Sequence, residues 1–68
     1  MVTMEMTDGV PFEGMSTFDI TLARDGKSIH CKGVMDFGFP EQEELEEIFE
    51  EWERLAEQNP WEFVVTEQ

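Results

Sequence analysis

Residues 17–35, TFDITLARDGKSIHCKGVM, decide the fold. Asp25-Gly26 lies between two runs in which apolar and polar residues alternate. A two-residue type I′ hairpin turn needs φ > 0 at both central positions, which Asp and Gly tolerate best. Such a turn pairs Arg24 with Lys27, Leu22 with Ile29, Ile20 with Cys31 and Phe18 with Gly33, so that one face is apolar. The other face pairs Thr21 with His30 and Asp19 with Lys32, the latter of opposite charge. A slip of one residue would mix both faces, so the pattern selects one register.

Working outward, residues 8–15 (DGVPFEGM) hold two Gly and one Pro and read as a loop. Before them Val2, Met4 and Met6 alternate with Thr3 and Glu5, which predicts a short strand. Downstream, Pro40 suits a first helical position. From Glu41 to Gln58 the apolar residues Leu45, Ile48, Phe49, Trp52, Leu55 and Ala56 recur on one helical face. Asn59-Pro60 stops the helix, with Asn59 expected in a left-handed cap. Trp61, Phe63 and Val65 then alternate with Glu62, Val64 and Thr66 as a final strand. The prediction is a single α+β domain over 1–68: a small, largely antiparallel β-β-β-α-β sheet with one amphipathic acidic helix on one face.

Size and charge bound the function. A chain of 68 residues buries only about 60% of the surface its unfolded form exposes, which leaves little room for a deep substrate cleft. Six Phe and two Trp argue for a packed core rather than disorder. The net charge is −13, from 17 acidic residues against four basic ones. Direct binding to a nucleic-acid backbone or an anionic membrane is disfavoured, and a basic partner is favoured. The single Cys31 allows no internal disulfide, consistent with a cytoplasmic protein. The start of the chain has no basic residue, unlike a signal peptide, and no apolar run reaches membrane-spanning length.

The strongest functional signal is the helix. Between positions 41 and 57 stand nine glutamates, opposed only by Arg54. Glu43, Glu46, Glu47, Glu50, Glu53 and Glu57 project away from the apolar stripe, and with Glu51 they are the candidate partner-binding residues. Nine like-charge pairs at i, i+3 or i, i+4 would cost about 2–4 kcal/mol at low salt, less under physiological screening. A solvated helix face explains polarity but not the near-absence of lysine. Adaptation to high salt would make the whole chain acidic. Here residues 16–35 are net +1 (Arg24, Lys27 and Lys32 against Asp19 and Asp25), while 41–58 are net −8 (nine Glu against Arg54). Seventeen residues span about 25 Å, over which B-DNA carries about 15 phosphates, so the carboxylate density approaches that of DNA.

In size, acidity and a carboxylate-lined helix, the chain resembles the phage-encoded anti-CRISPR and anti-restriction inhibitors that mimic DNA. The resemblance covers the whole chain but no sequence motif. It implies an inhibitor in the host cytoplasm that fills the basic nucleic-acid groove of a defence complex. The alternative is an adaptor or small subunit that binds a basic protein surface without mimicry. Either would be a monomer or a small homo-oligomer.

Other chemistry finds little footing. His30 and Cys31 are adjacent on a strand and point to opposite faces, so they form no catalytic dyad. Cys31 is expected against the core and His30 on the open face. The helix lacks the loop of an EF-hand and the Glu-x-x-His of a di-iron bundle. No enzymatic activity, cofactor or metal is therefore expected. Trp52 is expected in the core. Trp61 is expected to pack under the helix end, with a partner anchor as the alternative, and Phe12 and Phe39 are read the same way. Thr17, Thr21, Ser28, His30 and Val34 are expected on a polar open sheet face, which either meets solvent or serves self-association.

Overall fold

The computed structural model describes all residues, 1–68. Its elements are β1 (Thr3–Asp8), β2 (Phe18–Arg24), β3 (Lys27–Val34), α1 (Gln42–Gln58) and β4 (Phe63–Glu67). The four strands form one antiparallel sheet in sequence order, β1-β2-β3-β4. The α+β order read from the sequence is the one the chain adopts.

The hairpin turns at Asp25 (φ 51°) and Gly26 (φ 80°), both left-handed as a type I′ turn requires. Arg24↔Lys27, Leu22↔Ile29, Thr21↔His30 and Ile20↔Cys31 pair as expected. Beyond Ile20 the register shifts, and Phe18 faces Val34 instead of Gly33. Gly33 adopts φ 69° and its N–H donates to Asp19 Oδ1 at 3.3 Å. This is a bulge in which a left-handed glycine inserts one residue into a strand. The extra residue ends the simple Asp19–Lys32 opposition. It also turns Val34 from the open face, where it was expected, to the apolar side, where it packs against the core.

Ile20, Leu22 and Ile29 from the sheet meet Leu45, Phe49 and Trp52 from α1, with Val2 closing one edge. Each fully buried side chain of this kind contributes about 1.5–3 kcal/mol. The Trp52 ring lies 5.9 Å from that of Phe37 and 5.5 Å from that of Phe63, the latter edge-on. Cys31 is half-buried against this core, and His30 is half-buried on the other face, its Nε2 4.0 Å from Asp19 Oδ2.

Several local expectations change. Pro40 is not the first helical residue: the helix begins at Gln42 behind an extended Glu41 (φ −78°, ψ 169°), whose carbonyl accepts from the Leu45 N–H at 2.9 Å. Gln42 instead anchors the helix start to the chain start. Its Oε1 accepts from the Val2 N–H at 2.6 Å and its Nε2 donates to the Val2 carbonyl at 3.0 Å. Asn59 has φ −129°, not a left-handed cap. Its N–H donates to Leu55 O, and its own carbonyl accepts from the Glu62 and Phe63 N–H groups. That turn delays the last strand to Phe63 and leaves Trp61 72% exposed rather than in the core. Phe12 and Phe39 are likewise exposed, at 60% and 89%. Thr17 is buried, not on the open face, because its hydroxyl donates to the Val10 carbonyl at 2.6 Å. No helix is long and apolar enough to cross a membrane.

Candidate acidic interface

The apolar stripe of α1 turns its Leu45, Phe49, Trp52 and Ala56 to the sheet, with Ile48 and Leu55 half-buried beside them. That packing fixes where every glutamate points. Glu43, Glu44, Glu47, Glu50, Glu51 and Glu57 are exposed. They form an outward ridge from Glu43 to Glu57, about 21 Å long at 1.5 Å per residue. Of the seven candidate residues, this ridge holds Glu43, Glu47, Glu50, Glu51 and Glu57. It also holds Glu44, which projection from the stripe alone assigns to a flank.

Glu46 and Glu53 sit differently. Both lie on the flank of α1 that faces the Asp25-Gly26 end of the hairpin. Arg24 Nη1 donates to Glu46 Oε2 at 2.9 Å and Arg24 Nη2 reaches Glu53 Oε1 at 3.5 Å. Lys27 Nζ donates to Glu53 Oε2 at 2.8 Å. The Arg24 guanidinium also rests 4.6 Å from the centre of the Phe49 ring, a cation–π contact. Arg24 and Lys27 are cross-strand partners next to the turn, so the turn itself delivers two cations to one helix flank. The hydrogen bond from Arg24 is the main reason that the Glu46 carboxyl is held below the usual glutamate range. The Lys27 ammonium is raised, chiefly by its hydrogen bond to Glu53.

The charge of the helix is thus divided. Two glutamates clasp the hairpin, and six face solvent with Arg54 as the only cation among them. Arg54 is exposed and makes no ion pair within 4.0 Å. A shallow groove runs between α1 and β4, lined by Lys27, Glu50, Glu53, Arg54, Glu57 and Val65 among others. No three His, Cys, Asp or Glu side chains converge in a way that would hold a metal ion. Burial, with smaller contributions from Glu62 and Asp19, pushes the Cys31 thiol above its usual range.

No protein-family model matches the chain, and neither a curated protein nor a solved structure does.

Proposed function

We propose that this protein is a non-catalytic binding module that imitates a nucleic-acid backbone and occupies the Lys/Arg-lined groove of a nucleic-acid-binding protein. The observation that carries this reading is the ridge of exposed glutamates on α1, left unneutralised while Arg24 and Lys27 are engaged with Glu46 and Glu53. A rigid row of carboxylates about 6 Å apart per helical turn offers cationic side chains a repeat comparable to that of phosphates. Competition for the groove then excludes the natural ligand without any chemistry. The resemblance to phage inhibitors makes CRISPR and restriction complexes the first partners to test.

The ridge can be removed without touching the clasp. A Glu43→Gln, Glu47→Gln, Glu50→Gln, Glu51→Gln variant keeps shape and helix propensity while it deletes four charges. With labelled DNA bound to a purified CRISPR or restriction complex, the wild type is expected to displace the DNA and the variant to fail. Displacement by both alike would refute the mimicry. Binding that DNA does not compete with would favour an adaptor that recognises a basic surface elsewhere on the partner. Affinity should fall with salt, chiefly through slower association.

A further inference from the structure

Nine large hydrophobic side chains are exposed in a chain whose core buries eight hydrophobic residues. Five of the nine belong to one end of the sheet. Asp8 of β1 pairs with Phe18, Phe18 pairs with Val34 of β3, and Phe63 of β4 pairs with Cys31. The segments leaving this end carry Val10, Phe12 and Met15 between β1 and β2, Met35 after β3 and Trp61 before β4. Three strand spacings set this end at about 14 Å across.

Val10, Phe12 and Met15 stand on backbone tied by hydrogen bonds. Residues 12–15, within the stretch read as a loop, form a miniature hairpin. The Phe12 N–H donates to Met15 O at 3.3 Å and the Met15 N–H to Phe12 O at 2.9 Å. Glu13 (φ 50°) and Gly14 (φ 79°) make the turn, although a left-handed glutamate costs about 1–2 kcal/mol. The Gly9 N–H bond to Thr17 O at 2.9 Å and the Thr17 hydroxyl bond to Val10 O at 2.6 Å tie its base down. Apolar groups held in place this way lose little entropy on binding.

Charge indicates what covers them. Asp8, Glu13, Asp36 and Glu62 are exposed among the five, and Lys32 is the one cation in residues 8–19, 32–37 and 59–63. A second copy would set acidic rim against acidic rim, with −13 on each chain. A foreign surface with an apolar centre and a Lys/Arg rim complements this end.

We propose that this end of the sheet is a second contact surface, seated on an apolar patch ringed by Lys and Arg on the same basic protein that the acidic ridge engages. It rests on the reading of the ridge given above and divides the labour: the ridge speeds encounter, and the apolar end lengthens the life of the complex.

Two cationic probes of equal charge test it: poly-lysine, and a peptide with a Leu/Trp centre flanked by Arg and Lys. The protein carries fluorotryptophan, so that fluorine NMR reads buried Trp52 and exposed Trp61 separately. At about 1 M salt, where screening sets in beyond about 3 Å, poly-lysine should be released. The apolar-centred peptide should stay and move the Trp61 resonance but not that of Trp52. Phe12→Ser with Trp61→Ser should weaken that peptide about tenfold or more and leave poly-lysine unaffected, with circular dichroism confirming the fold. Equal release of both probes with Trp61 unmoved would overturn the proposal and leave the ridge reading standing. Sedimentation as a dimer with Trp61 protected would also overturn it, by making a second copy the occupant. Poly-lysine binding indifferent to the four-glutamine variant would instead sink the ridge reading, and the shared partner with it.

Discussion

Glu47 stands at the crowded centre of the ridge. It is exposed, makes no ion pair, and has Glu43 and Glu51 four residues away and Glu44 and Glu50 three away. Each like-charge pair costs about 0.2–0.5 kcal/mol at low salt, so the four together cost about 0.8–2 kcal/mol. Gln is nearly isosteric and equal in helix propensity. Glu47→Gln is therefore expected to stabilise the fold by about 1 kcal/mol, which for a domain of this size raises Tm by about 4–8 °C. At about 1 M salt the gain should vanish, because the repulsion is screened. Urea unfolding followed by circular dichroism at both salt concentrations measures it, with an unchanged m-value showing that the denatured state is not the source. No gain at low salt, or the same gain at both, would refute the repulsion ledger. Glu53→Gln is the contrasting control: the same isosteric change should destabilise, because Lys27 and Arg24 lose a partner.

Further outcomes follow from single residues. Gly33→Ala should cost about 1–2 kcal/mol from backbone strain alone, since Gly33 has φ 69° and open space where a Cβ would stand; urea unfolding reads it. The depressed Glu46 carboxyl lends stability that is complete above the ordinary glutamate range of about 4.3 and is lost as pH falls through its folded value. The stability gap between wild type and Glu46→Gln should accordingly shrink on acidification, and a gap that widens would contradict the pairing with Arg24. Cys31, its thiol raised by burial, should react with iodoacetamide at mildly alkaline pH more slowly in the native protein than in urea, because the thiolate is the nucleophile; equal rates would contradict its burial. The raised thiol pKa favours the folded state below the unfolded value, and that contribution is lost as pH rises through the folded one.

The β2–β3 hairpin is legible because two signals agree, a turn dipeptide and a two-faced register that only one alignment satisfies. Legibility ends at Gly33, where a left-handed glycine inserts a residue that no alternation pattern announces. The Glu13-Gly14 turn is harder still, since glutamate is a poor left-handed residue and only Phe12 and Met15 flank it as a bridge. Aromatic character alone places Trp61 inside. It lies outside because the Asn59 carbonyl gathers the Glu62 and Phe63 N–H groups into a turn ahead of the strand. On the helix, periodicity separates greasy from acidic but not one acidic flank from the other. That Glu46 and Glu53 meet Arg24 and Lys27 depends on how α1 lies over the sheet, which is a tertiary fact.

The placement of the four cations bears on whether the acidity is for solubility or for a partner. Arg24 and Lys27 hold α1 to the hairpin, Lys32 lies within β3 beside the bulge, and only Arg54 stands on the ridge. Solubility would be served equally by charge spread over the open sheet face. That face instead carries uncharged Thr3, Thr7, Thr21, Ser28 and Thr66, with Glu5, Asp19, His30 and Lys32 between them. Stability would be served by cations placed four residues from the ridge glutamates, and Arg54, four from Glu50, is the only one there. Charge is concentrated where it strains the helix most and where Arg54 alone answers it. A cationic surface from outside would relieve that strain on contact, so the repulsion stored along the ridge becomes part of the driving force for binding. Glu47→Gln tests this directly, for the residue whose loss most relieves the free protein should also be among those whose loss most weakens the complex.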